Sequence, residues 1–191
     1  MKISPTFFAA AALLAATNAH ASLETWRLAA TAYNQSGGFI PPAFAAVGQN
    51  ISIDYLIDNQ APHLLGGPGT YFGAIISISF NGQVSQASGY IVAEGWGLNA
   101  MKVWPISGRA DGVDFLSFNN LGGQQTTTII EALNDFSAAV LTPSTDLRID
   151  FGSNSVWASP TSFSAVPIPA ASWLLGSGLL SLIGVARRKA A

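Results

Sequence analysis

Ile76-Ser77-Ile78-Ser79-Phe80 runs straight into Asn81-Gly82 and then into Gln83 to Val92. No other stretch of the chain constrains its fold as much. Apolar and polar side chains alternate along the first segment, and a period of two sends them to opposite faces of a strand. Asn-Gly supplies two adjacent residues that accept the positive φ of a type I′ turn, so the chain reverses there into an antiparallel hairpin.

The pattern repeats elsewhere. Asn50 to Asp58 alternates with Ile51, Ile53 and Tyr55 on one face, which reads as a half-buried strand. Glu24 to Tyr33, Leu98 to Val103, Val113 to Phe118, Gln124 to Ile130 and Leu147 to Phe151 are further strand candidates, with a last one within Val156 to Phe163. Turn-rich stretches separate the early ones: Asn34 to Gly38, Pro41-Pro42, and Asn59 to Gly69. A helical period is discernible only over Ile129 to Phe136. Many short strands with glycine turns predict an all-β domain, an antiparallel β-sandwich with jelly-roll connectivity.

The two ends of the chain do not belong to that domain. The chain has 191 residues, of which 49% are hydrophobic and only 9% charged, against about 25% charged in a typical soluble domain. Much of the apolar excess is terminal. Residues 1–21 read as a signal peptide, with Lys2 as the positive start, an apolar stretch from Phe7 to Ala16, and Ala19-His20-Ala21 as the small-x-small cleavage site. Ser22 becomes the new N-terminus. At the other end, residues from about 169 to 186 carry no charge and suit one transmembrane helix, at about 1.5 Å of rise per residue. Arg187, Arg188 and Lys189 follow as a membrane stop that holds the C-terminus on the cytoplasmic side.

Between the ends lies an ectodomain, residues 22–155, followed by a spacer rich in Ser, Thr and Pro at 156–165. Its positive side chains are Arg27, Lys102, Arg109 and Arg148; against all ten carboxylates these leave a net charge of −6. Such a surface argues against nucleic acid as a partner and against docking on anionic lipid. The chain has no cysteine, which excludes disulfides, lipidation of the leader and cysteine-type zinc sites.

Val166-Pro167-Ile168-Pro169-Ala170, then Trp-Leu-Leu-Gly-Ser-Gly-Leu-Leu, then Ile-Gly-Val-Ala-Arg-Arg-Lys, fill residues 166–189. In order and position they resemble the PEP-CTERM sorting signal of Gram-negative bacteria, in its VPLPA variant. Ile168 stands where the commoner form has glutamate. Two prolines lacking N–H groups keep the segment extended, as a protease cleft requires, and Gly176, Gly178 and Gly184 thin the helix for close approach by another. The resemblance implies processing by an exosortase, a membrane cysteine peptidase, after export by the translocon and cleavage by signal peptidase. The protein would be anchored briefly in the inner membrane and then reach the cell surface or the medium, often beside exopolysaccharide. A permanent tail anchor is the alternative.

For the ectodomain a non-catalytic binding or structural module is expected, with a secreted hydrolase of polysaccharide as the alternative. The sequence has no G-x-S-x-G elbow, no H-E-x-x-H and no P-loop. His63 is the sole histidine after the leader and reads as a loop residue. Asp54 and Asp58 share a strand face, and Asp146 and Asp150 bracket Leu147 to Ile149. Asp111 and Asp114 are weak candidate oxygen ligands for calcium; no EF-hand spacing is present, and solvated turn aspartates are the favoured account. No other cofactor is expected. Trp26, Trp96, Trp104 and Trp157 are the aromatic candidates; core packing is the favoured reading for them, with stacking on sugars as the alternative. Trp96, flanked by Gly95 and Gly97, is the residue singled out for ligand contact.

Overall fold

The computed structural model describes residues 23–37, 47–62, 69–80, 83–95, 99–107, 113–140, 142–143 and 145–167. Eight strands and one helix follow one another along the chain: β1 (Leu23–Ser36), β2 (Asn50–Asp58), β3 (Thr70–Phe80), β4 (Gln83–Val92), β5 (Asn99–Ser107), β6 (Phe115–Asn120), α1 (Ile129–Ala139), β7 (Thr145–Phe151) and β8 (Asn154–Ala165). Each strand pairs antiparallel with the next. β1 also pairs with β8, so the sheet closes into an up-and-down barrel.

The all-β, antiparallel reading therefore holds, while the sandwich and the jelly roll give way to a single closed sheet. A sandwich and a barrel use the same alternating strands, because each buries one sheet face. What separates them is whether the first strand finds the last. β1 pairs with β2 from Leu23 to Thr31 and with β8 from Trp26 to Ser36. Register shifts at Ala29/Ala30 and Ala32/Asn34 mark bulges, which bend a strand and increase its twist. Closure leaves no exposed edge for another chain to extend.

The expected spacer at 156–165 is corrected by the same finding. These residues form most of β8, with Val156, Ala158, Pro160 and Phe163 turned inward. Serine and threonine alternate with those apolar residues and take the outer face, which gave the stretch its linker-like composition. Likewise Gln124 to Ile130 is no strand. Thr128 caps α1, and the helical period over Ile129 to Phe136 is realised. The strands predicted at 24–33, 50–58, 71–80, 83–92, 98–103, 113–118 and 147–151 all correspond to strands of the barrel, some longer than expected.

The interior is filled by apolar side chains, among them Leu28, Ile53, Tyr55, Ile78, Phe80, Met101, Val103 and Phe118, all nearly inaccessible. Charged residues such as Arg27 and Asp54 lie on the outside, the reverse of a barrel that faces lipid. Trp26, one of the four candidate tryptophans, belongs to this core: it packs on Phe163 at 5.0 Å between ring centroids. α1 buries Ile129, Ala132, Leu133 and Phe136, and Phe136 lies 5.0 Å from Phe118 and 6.4 Å from Phe163. One glycine is fixed by close packing. A Cβ at Gly89 would sit 2.8 Å from the Lys102 carbonyl oxygen and 2.9 Å from Ile75 Cβ.

Among the described residues no helix is long and apolar enough to cross a membrane. The expected leader with Ala19 and Ala21, the expected span, and the stop residues Arg187, Arg188 and Lys189 lie outside the described residues, as do Ile168, Pro169 and Ala170.

Candidate functional site

Strands with two large residues in succession cannot bury both, because neighbours point to opposite faces. Tyr71-Phe72, Tyr90-Ile91 and Val103-Trp104 each face this choice. Tyr71, Ile91 and Val103 turn inward and are buried, which leaves Phe72, Tyr90 and Trp104 outside. Phe115 on β6 joins them.

Register then brings these rings together. Phe72 stands opposite Tyr90, and Tyr90 opposite Lys102. Trp104 lies one pleat further along β5, opposite Ser88. The ring centroids of Phe72 and Tyr90 are 5.0 Å apart, those of Tyr90 and Trp104 5.6 Å, and those of Trp104 and Phe115 5.0 Å, each pair tilted. The result is one continuous row across β3, β4, β5 and β6. Phe72 and Trp104 are its raised members, 44% and 41% exposed, while Tyr90 and Phe115 are half-buried. Exposed Ile76 and Ile106 extend the apolar surface.

Cations border the row. The Lys102 ammonium lies 5.9 Å from the centroid of Tyr90, and the Arg148 guanidinium 5.8 Å from that of Trp157. Lys102 is paired with Ser117, Ser117 with Arg148, and Arg148 with Trp157. A belt of Phe72, Tyr90, Lys102, Ser117, Arg148 and Trp157 thus crosses six strands. Ser117 donates its hydroxyl to Asn119 Oδ1 at 2.8 Å, and Arg148 Nε donates to Asp150 Oδ1 at 2.8 Å.

The sequence-predicted carboxylates are spread around the barrel and engaged with their neighbours. Asp54 takes both a 2.6 Å and a 2.8 Å bond from the Arg27 guanidinium, which holds that guanidinium above its ordinary range. Asp58 accepts the Gln60 N–H at 3.0 Å. Asp146 accepts from the Tyr33 hydroxyl at 3.0 Å, and burial followed by this bond raises the Tyr33 phenol. Asp150 also accepts from Ser155 Oγ at 2.5 Å. Asp114 accepts the Gly152 N–H at 2.5 Å; its expected calcium partner Asp111 lies outside the described residues, as do His63 and Trp96. Among the described residues no group of three or more histidines and carboxylates gathers as a metal site would need.

A shallow open depression of about 280 Å³ is lined by Asn120, Gly122, Asp135, Ala138, Ala139 and Thr142. Its carboxylate is committed to structure: Asp135 Oδ2 accepts from Asn99 Nδ2 at 3.1 Å, Asn120 Nδ2 at 2.9 Å and Gln124 N at 3.3 Å. These bonds tie α1 to the ends of β5 and β6.

Of the tryptophans named from sequence that lie among the described residues, Trp26, Trp104 and Trp157, Trp104 is the one the barrel places in an exposed aromatic row. Phe72, Tyr90, Phe115 and Lys102 were not singled out. The adjacent large residues on predicted strands were the available signal for the first two, although the cross-strand order was not. Comparison with models of protein families, with curated proteins and with solved structures yielded no match.

Proposed function

We propose that this chain is an exported surface or matrix protein whose barrel is a non-catalytic binding module for polysaccharide. The observation that carries the binding reading is the row Phe72–Tyr90–Trp104–Phe115, held in register on the outer face. Monomeric proteins seldom leave a run of large apolar side chains in water without a use for it. Pyranose rings present flat C–H faces, and half-exposed aromatic rings are the side chains that cover such faces at low cost in side-chain entropy. The filled interior directs attention outward, since the barrel core is occupied by its own side chains.

Delivery follows from the C-terminus. The Val166 to Ala170 motif, the apolar run and the basic tip together form an address read by an exosortase-like peptidase, after the leader has taken the chain across the inner membrane. The barrel then reaches the cell surface or the medium, where exopolysaccharide is the ligand at hand.

Two measurements test this reading. Glycan-array binding of the wild-type protein and of Trp104→Ala shows a polysaccharide signal that the substitution abolishes; a signal indifferent to Trp104 rules out the row. Intact mass of the extracellular protein gives a product lacking Arg187, Arg188 and Lys189. A mature protein that retains them removes the sorting signal from the account.

A further inference from the structure

We propose that the polysaccharide taken by this row is anionic, a polymer of uronic acid units whose carboxylates are met by Lys102 and Arg148. The inference rests on the ring row being a sugar-binding surface and adds the class of sugar.

Among the described residues only three cations occur, Arg27, Lys102 and Arg148. Arg27 is closed off by its two bonds to Asp54. The other two lie on the belt, separated by a single strand. With strands about 4.8 Å apart, their Cα atoms are roughly 10 Å from each other. Lys102 makes no ion pair among the described residues and rests beside Tyr90. Arg148 gives Nε to Asp150 and leaves the rest of its guanidinium beside Trp157, with the side chain 47% exposed. Between them Ser117 is small, buried and turned toward Asn119. The floor between the two cations is therefore low and neutral.

A pyranose bearing a carboxylate suits this order of groups. Its C–H face lies on a ring, while the carboxylate projects from the sugar's edge toward the neighbouring cation. A neutral sugar covering the same belt would strip water from two cations and return only hydroxyl contacts, which is unfavourable. Charge-assisted hydrogen bonds offset that loss. The ectodomain's net charge of −6 repels an anionic polymer at long range, but the repulsion is screened beyond about 8 Å at physiological salt. Contact with Lys102 and Arg148 is inside that distance; Asp150 is inside it too and already accepts from Arg148 Nε at 2.8 Å, so Lys102 carries the larger share of the attraction.

The test uses the full-length protein in detergent micelles, with polygalacturonate and a neutral β-glucan of similar length as probes and polyglutamate as a charged control. Wild type binds polygalacturonate roughly tenfold or more tightly than the glucan, the ratio expected of one charge-assisted bond. Lys102→Gln/Arg148→Gln removes this preference while keeping the circular dichroism spectrum and melting temperature. Lys102→Arg, in an otherwise wild-type chain, keeps the preference. Trp104→Ala weakens binding to both sugars.

Equal affinity for both sugars, or a double variant that binds polygalacturonate as well as wild type, overturns the anionic class. The ring-row reading survives that outcome if Trp104→Ala still weakens binding. Absence of binding to either sugar overturns both readings, as does polyglutamate binding equal to polygalacturonate and insensitive to Trp104.

Discussion

Val166 donates its backbone N–H to the carbonyl oxygen of Thr25 at 2.8 Å. The first residue of the proline motif is thus bound to β1, one step beyond the pairing of Trp26 with Ala165. The beginning of β1 and the end of β8 lie side by side at one end of the barrel. The segment once expected to hold the domain away from its C-terminal motif is instead the strand that completes the domain.

Completion of the barrel consequently needs residues up to Val166. A fragment of residues 22–167 is expected to show β-type circular dichroism and a cooperative urea transition. A fragment of 22–153 loses β8 and leaves β1 paired only with β2 and β7 only with β6, so the barrel is open and it is expected to show no cooperative transition. A common midpoint for the two fragments would contradict closure through β8.

Phe163 is the side chain through which β8 reaches the core. It lies within 5.0 Å of Trp26, 5.3 Å of Phe118, 6.3 Å of Tyr55 and 6.4 Å of Phe136, measured between ring centroids. Phe163→Ala is expected to lower stability by about 3–5 kcal/mol, the range for removing a buried ring. Urea denaturation reads this directly, and a loss below about 1 kcal/mol would place Phe163 outside the core.

Tyr55 carries the opposite expectation. Its ring is fully buried, and its hydroxyl finds no hydrogen-bond partner among the described residues. Burial pushes the phenol far above its ordinary range, so it stays neutral. An orphaned buried donor costs about 1–3 kcal/mol. Tyr55→Phe keeps the ring and removes the orphan, and is expected to match or exceed wild-type stability. A substantially lower melting temperature would mean that the hydroxyl has a partner.

The start of α1 sets a dependence on acid. Thr128 Oγ1 accepts the Glu131 N–H at 3.1 Å, while Glu131 Oε2 accepts from Thr127 N at 2.8 Å, Thr127 Oγ1 at 2.9 Å and Thr128 N at 3.3 Å. The bonds from Thr127, and then that from Thr128, hold the Glu131 carboxyl below its ordinary value of 4.5. A carboxylate lowered on folding stabilises the fold above its unfolded value and loses that effect as pH falls through its folded value. The stability difference between wild type and Glu131→Gln should therefore persist from neutral pH to about 4.5 and shrink below it. A difference that stays unchanged as the pH falls well below 4.5 would exclude the carboxylate as the cause. Thr128→Ala is expected to cost about 1 kcal/mol, as loss of an N-cap does.

Alternation, turn residues and the helical period were legible in the chain because each is local. Residues two apart decide a strand's faces, and Asn81-Gly82 lies between the strands predicted on either side of it. That reading located seven of the eight strands and the apolar side of β2, where Ile51, Ile53 and Tyr55 are buried. It erred at Gln124 to Ile130, where a capping box between Thr128 and Glu131 outweighs β-branched composition. It also took 156–165 for a linker, because the inward residues there are spaced by serines and threonines.

Closure and the ring row were decided elsewhere. Neither β1 nor β8 carries a local mark naming the other as its neighbour, since backbone hydrogen bonds have the same chemistry in any strand pair. Phe72, Tyr90, Trp104 and Phe115 come from four strands, and only the register of β3, β4, β5 and β6 makes them one surface. The sequence by itself determined that most of the chain forms half-buried strands joined by tight turns. Tertiary structure decided which outward residues stand together, because cross-strand proximity depends on pairing between segments distant along the chain.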